Sequence, residues 1–157
     1  VAICSTEWKD CVVLEKELET DLPEADCLLG EINQVIMNLI INAAQAVREF
    51  KKVGEMGEIT IRTRSSKDDW IEIEIEDDGG GMSPDVGARI FEPFFTTKEL
   101  GVGSGQGMAI AHAVIVGKHK GELTFDTQLG KGTTFKIRLP RRAESEDSQE
   151  TEIHHTT

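Results

Sequence analysis

The longest regular pattern in the chain is helical. From Gly30 to Phe50 apolar positions recur at a helical spacing, and the stretch INQVIMNLIINAAQAV (32–47) contains no charged residue. Charged residues make up 29% of the chain, so a window of that length should hold about five. A helix this apolar is buried over most of its circumference. Alternating runs surround it. VVLEKEL (12–18) reads as a strand, followed by TDLPEAD as a connecting loop. EITIRTR (58–64) puts Ile59, Ile61 and Thr63 on one face, and WIEIEIE (70–76) puts Ile71, Ile73 and Ile75 inward against glutamates. The polar joint SSKDD makes these two a hairpin. Pro84 suits the first turn of a short helix running toward Ile90. A long loop then leads to about Gly103, and GMAIAHAVIVGKH predicts a helix from Gly107. GELTFDT and TTFKIRL close the pattern as a second hairpin about the turn LGKG, with Phe135, Ile137 and Leu139 alternating. There is no internal repeat.

Composition narrows the picture. A chain of 157 residues suits one domain with a real core. Beyond Pro140 periodicity stops, and residues 141–157 are expected to be a disordered acidic tail, leaving residues 1–140 as the domain. That tail carries two positive and five negative charges, so the net charge of -12 leaves -9 for the rest. Such a balance excludes a nucleic-acid binder, which needs clustered Lys and Arg. It does not exclude a phosphate ligand held by backbone N–H groups and a metal ion. Cys4, Cys11 and Cys27 are odd in number and lack C-x-x-C spacing, which points to reduced thiols and a cytoplasmic setting. No signal-like segment and no apolar run of membrane-spanning length stand in the sequence, and no direct membrane contact is expected. The chain begins at Val1, and is expected to be a piece of a larger polypeptide. His154 and His155, adjacent in the tail, read as surface residues rather than a metal site.

Four stretches carry candidate chemistry. Gln34, Asn38, Asn42 and Gln45 recur at spacings of four, four and three on the uncharged helix. They are either an unusual wet face or the lining of a polar cavity, since an unpaired buried amide costs roughly 1–3 kcal/mol. An Asn carbonyl in such a cavity suits Mg²⁺. IEDDGGGMSP places Asp77 at a strand end ahead of Gly79 and Gly81, either a tight acidic turn or a carboxylate beside a backbone against which a flat ring can lie. IFEPFFTTK gathers Phe91, Phe94 and Phe95 as a satellite core or a lid, with Lys98 able to reach a phosphate. GVGSGQGMAI alternates Gly101, Gly103, Gly105 and Gly107 ahead of a helix. It fits neither G-x-G-x-x-G, which Gln106 and Met108 interrupt, nor the Walker loop, since Gly117-Lys118 precedes His119.

Taken in order, these stretches resemble the ATP-binding catalytic domain of bacterial sensor histidine kinases in the Bergerat-fold ATPase superfamily. NQVIMNLIINAAQAV is similar to that family's N box, DDGGGM to its G1 box, IFEPFFTTK to its F box and GSGQGMAI to its G2 box; GKGTTFKIRLP is similar to its terminal hairpin. The resemblance spans residues 8–140. It implies an α/β two-layer sandwich with a mixed, mostly antiparallel sheet, helices on one face and a mobile ATP lid over residues 83–102. It implies Asn42 as the Mg²⁺ ligand, with Asn38 beside the phosphates and Lys98 near the transferred group. Asp77 would accept from the adenine amino group, with Gly79, Gly81 and Met82 around the ring and Thr133 nearby through water. Gly103, Ser104, Gly105, Gln106, Gly107 and Met108 would meet the phosphates at a helix start. The family usually has leucine where Gln106 and Met108 stand, and Asn or another residue at Gly80. Hydrolysing relatives carry a glutamate at the place of Asn38, and an amide is no general base. The resemblance therefore implies transfer of the γ-phosphoryl group of Mg-ATP to a histidine on a dimerisation domain absent from this chain, and onward to a response regulator receiver domain. His112 and His119 lack the acceptor context, so the isolated chain is expected not to phosphorylate itself; intact kinases of the family dimerise through helices absent here, so it is expected to be monomeric. A protein serine kinase of the anti-sigma type and a pseudo-enzyme interaction module are the alternatives.

Overall fold

A computed structural model describes residues 10–97 and 106–142. In chain order it contains β1 (Val12–Leu18), α1 (Leu29–Phe50), β2 (Gly57–Ser66), β3 (Trp70–Asp77), α2 (Pro84–Arg89), α3 (Gly107–His112), a π-helical turn (Ala113–Lys118), β4 (Glu122–Gln128) and β5 (Gly132–Pro140). The five strands form one sheet in the order β1-β2-β3-β5-β4. Only β1 and β2 run parallel, joined through α1; the other pairs are antiparallel. This is the mixed, mostly antiparallel α/β architecture that the family resemblance implies.

The uncharged helix behaves as its composition requires. Val35, Leu39, Ile40, Ala43, Ala44 and Val47 are buried against the inward strand positions Ile59, Ile75, Ile137 and Leu139. Ala111, Val114 and Ile115 complete the layer. No side chain caps α1. Its Leu28 carbonyl accepts from the amides of Glu31 and Ile32, and the Leu28 amide donates to His119 Nε2 at 3.0 Å. The His119 Nδ1 lies 2.8 Å from the Val114 carbonyl. With both partners in place, the neutral ring carries its proton on Nδ1.

That ring also explains a departure from the expected single helix over 107–119. After His112 the backbone widens into π-helical geometry, with the His119 amide on the Val114 carbonyl at 3.1 Å and the Gly121 amide on the Ile115 carbonyl at 2.8 Å. The wider turn brings the amide and the ring of His119 onto the same carbonyl. Arg141, just past Pro140, is likewise anchored: its amide reaches Asp69 O at 2.9 Å and its guanidinium Asp69 Oδ1 at 2.7 Å.

The sheet's other face is charged strand by strand. Glu17 on β1, Arg62 on β2, Glu72, Glu74 and Glu76 on β3, Lys136 and Arg138 on β5, and Glu122 and Asp126 on β4 alternate in sign across the order. Arg62 pairs with Glu17 at 2.8 Å and with Glu76, while Arg138 pairs with Glu122 at 2.8 Å and Glu72 at 3.3 Å. Exposed pairs of this kind are worth at most about 1 kcal/mol each, so stability rests on the apolar face. No helix among the described residues is long and apolar enough to cross a membrane.

Leu39→Ala is therefore expected to cost about 2–5 kcal/mol in urea unfolding. Lys136→Ala, which breaks one exposed pair with Asp126, should cost less than about 1 kcal/mol. Equal losses in the two variants would contradict this division of labour.

Candidate functional site

Loops and helix ends converge on one cavity of about 660 Å³ at the end of the sheet. The C-terminal half of α1 forms one wall with Asn42, Gln45, Ala46, Glu49 and Phe50, residues repeating at helical spacing. Asp77, the last residue of β3, lies opposite with Gly80, Gly81 and Met82. Val86 of α2, Ile90 and Phe95 to Thr97 line a third side; Gly107 and Met108 at the start of α3 supply a fourth. Leu129 from the β4–β5 turn and Thr133 and Phe135 from β5 complete the enclosure.

The register explains where Asp77 sits. It stands between Ile59 on β2 and Thr133 on β5, at the mouth of the sheet interior, and is only 4% exposed. Its Oδ1 accepts from the Gly79 amide at 2.9 Å. Burial pushes its carboxyl up to about 6, against the lowering effect of the Gly79 and Thr133 amides; the neighbouring charges of Asp78 and Glu76 push it further up. A carboxylate so placed is a desolvated acceptor held in position by backbone amides.

The glycines of the turn have distinct reasons. A Cβ on Gly79 would stand 2.7 Å from the Ala46 carbonyl carbon, so backbone presses on backbone there. Gly81 has φ +67° and no room against the Gln128 carbonyl. The turn is held from both sides. Asp78 accepts from the Glu58 amide at 2.9 Å and pairs with Lys51 at 2.8 Å. The Gly130 amide donates to the Gly80 carbonyl at 2.8 Å, and the Met82 amide to Thr127 Oγ1, also at 2.8 Å. Thr127 Oγ1 lies 2.9 Å from Thr133 Oγ1.

The amide strip divides. Asn42 and Gln45 line the cavity, and Gln34 is exposed. Asn38 does not line it; its Nδ2 reaches toward the Gly107 carbonyl at 3.5 Å, tying α1 to α3. Gln106 stands just before α3, its carbonyl accepting from the Ile110 amide at 2.9 Å, and is not among the cavity residues. Met108 is buried in the floor, and half-buried Met82 packs on the core. Lys98, Gly103, Ser104 and Gly105 lie outside the described residues.

The phenylalanine cluster splits as well. Phe91 packs between His112 and Phe125, at 5.0 and 5.9 Å, and so belongs to the core edge. Phe94 is exposed with φ +63°, and Phe95 faces the cavity under the Arg89 guanidinium at 4.5 Å. The sequence pattern did not single out Glu49, Phe50 and Leu129. The first two share the helical spacing of Asn42 and could have been found from it. Leu129 arrives through strand pairing and has no local signal. Among the described residues no cluster of three His, Cys, Asp or Glu could hold a metal ion by itself.

Residues 29–143 match the family described as histidine kinase-, DNA gyrase B- and HSP90-like ATPase. The chain is 39% identical over 140 residues to the sensor kinase CckA of Brucella abortus, covering 80% of this chain and 14% of that protein. In structure it resembles the catalytic domain of histidine kinase ThkA, with a TM-score of 0.71 and 26% identity over 85% of this chain and 81% of that one. It also resembles full-length ShkA in complex with AMPPNP, with a TM-score of 0.66 and 26% identity over 82% of this chain and 25% of that one. The chain belongs to the histidine kinase-, gyrase B- and HSP90-like ATPase family, and within it to the type that forms the catalytic domains of sensor histidine kinases. It spans about a seventh of the length of the sensor kinase it matches.

The raised Asp77 makes a prediction about pH. Below about pH 4 the carboxyl is protonated folded and unfolded alike, and burial costs nothing extra. As pH rises toward 6 the unfolded group ionises freely while the folded one resists, so stability falls with rising pH, by up to about 3 kcal/mol for a shift of this size. Asp77→Asn should remove that loss. Urea unfolding of both proteins should show the variant's relative stability growing from pH 4 to 7 and then levelling; a constant difference would refute the assignment.

Proposed function

We propose that this domain binds Mg-ATP in the cavity and donates the γ-phosphoryl group to a histidine on a helical dimerisation domain outside this chain, from which it passes to a response regulator receiver domain. The observation that carries the reading is the meeting, in one cavity, of the buried Asp77 acceptor, the Asn42 amide and the start of α3. Asp77 receives the adenine amino group, whose N–H repays the carboxylate for lost water. Gly81 and Thr133 line the same cavity, and Gly79, whose missing side chain lets the strand end close on Ala46, holds Asp77 in place rather than meeting the ring. At the other end Asn42 and the first amides of α3 face the phosphates. Lys98 and the glycines before Gln106 lie outside the described residues, and their phosphate role is proposed from the family resemblance alone.

The donor set fits magnesium. An amide oxygen from Asn42, with no group of three acidic or His/Cys ligands among the described residues and room for phosphate oxygens, suits a cation that keeps waters and leans on its nucleotide. When bound, the ion neutralises charge on the phosphates. Asn38 cannot take a proton from water, and it is engaged toward Gly107, which favours transfer to a side chain over hydrolysis. The AMPPNP bound by ShkA, a protein 26% identical over most of this chain, supports the nucleotide.

Calorimetric titration of AMPPNP should give binding that Mg²⁺ strengthens. Asn42→Ala should lose the magnesium dependence, and Asp77→Ala should weaken binding at least ten-fold, the worth of one charge-assisted hydrogen bond of about 1.5–3 kcal/mol. Affinity should also fall as pH drops through about 6 and Asp77 takes a proton. Incubated with γ-labelled ATP, the chain should stay unlabelled by itself and label a histidine-bearing dimerisation domain added in trans. Absence of nucleotide binding at millimolar concentration would end this reading.

A further inference from the structure

Of the three consecutive glycines in the turn after β3, two are explained by the backbone. Gly79 has the Ala46 carbonyl against it, and Gly81 has positive φ and the Gln128 carbonyl. Gly80 has neither reason. The atoms nearest to where its Cβ would stand all belong to one side chain, Phe50, with Cδ2 at 3.3 Å and Cβ and Cγ at 3.6 Å. A side chain at position 80 would press on this ring, which would have to give by a few tenths of an ångström.

Phe50 is the last residue of α1, and it remains 46% exposed although it lines the cavity. One side of it rests on Gly80. The Lys51 ammonium, 5.8 Å from the ring centroid, is tied to Asp78 at 2.8 Å and stands beside the same ring. A large apolar ring supported from behind and open to a polar-ended cavity is an incomplete packing surface. The group that completes it must be flat, apolar in its face and able to present a donor to Asp77 from its edge.

We propose that Phe50 is a specificity-determining residue, the wall on which the purine base of the nucleotide packs, and that the bare Gly80 backbone lets that wall lie close against the turn. This rests on the nucleotide reading above and adds to it the residue that distinguishes a base-bearing ligand from a bare polyphosphate. Asp77 reads the edge of the base and Phe50 its face. Aromatic stacking on a base is sequence-tolerant because every base has a π-face, so Phe50 sets affinity for the base while Asp77 sets which base.

The test is titration of ATP and of inorganic tripolyphosphate, both with Mg²⁺, into the intact chain and into Phe50→Ala, Phe50→Tyr, Gly80→Ala and the double variant Phe50→Ala/Gly80→Ala. Phe50→Ala should weaken ATP roughly ten-fold, the lower part of the range for a base stacked on an aromatic side chain. Tripolyphosphate binding should not change, and Phe50→Tyr should restore ATP affinity. Gly80→Ala should weaken ATP by displacing the ring, and the double variant should be no weaker than Phe50→Ala, because Gly80 acts only through that ring. ATP affinity unchanged in Phe50→Ala, equal losses for ATP and tripolyphosphate, or additive losses in the double variant would each overturn the proposal and leave the nucleotide reading standing. Failure of the intact chain to bind ATP would remove both. Should Phe50→Ala not fold, Phe50→Leu, which keeps an apolar side chain but no aromatic face, decides the matter: ATP affinity equal to wild type overturns the proposal.

Discussion

The end of β3 and the last turns of α1 meet backbone to backbone, and the site depends on that contact. With no side chain at Gly79, the strand end presses on the Ala46 carbonyl. That closeness draws the Asp77 carboxylate out of water and raises its pKa. It also brings Asp78 to the Glu58 amide and Lys51, so that the C-terminus of α1, the start of β2 and the end of β3 are joined by one side chain. A bulky residue at Gly79 would move all three elements together, because the atom it meets is backbone and cannot rotate away.

The rest of the fold divides its work between the faces of the sheet. The apolar face, covered by α1 and α3, supplies stability through fully buried residues such as Leu39, Ile59, Ile115 and Ile137. The charged face alternates in sign from strand to strand, so each basic strand lies between two acidic ones and like charges do not face one another across a strand pair. The cavity lies at the end of this sandwich, where the helices part: Asn38 and Gly107 still hold α1 to α3, and one turn further along α1 the wall opens at Asn42.

Much of this was legible because it is local. A helix without charges, alternating isoleucines and a glycine turn report their own geometry, and β1 falls on VVLEKEL while α1 begins one residue ahead of the expected Gly30. Asp77 could be singled out as a carboxylate at a strand end. Its burial could not, since that comes from Thr133 and Ala46, 56 and 31 residues away in sequence. The amide strip shows the same limit. Helical spacing put four amides on one side, but only contacts with α3 decide that Asn38 turns to Gly107 while Asn42 and Gln45 line the cavity.

Sequence by itself determined the elements, their order, which faces are apolar and the family of motifs, because each of these follows from side-chain periodicity or residue type within one turn or one strand. Only the tertiary structure decided the rest. The π-helical widening after His112 depends on His119 reaching Val114 and Leu28 at once. The division of the phenylalanines between core and cavity depends on what Phe91 and Phe95 each find opposite them. Phe50 and Leu129 come to line the same cavity as Asp77 only when a helix end, a strand end and a distant turn close on the same space. Packing density makes such meetings sharp, since a position either has room for a side chain or has none, and no single segment carries that information.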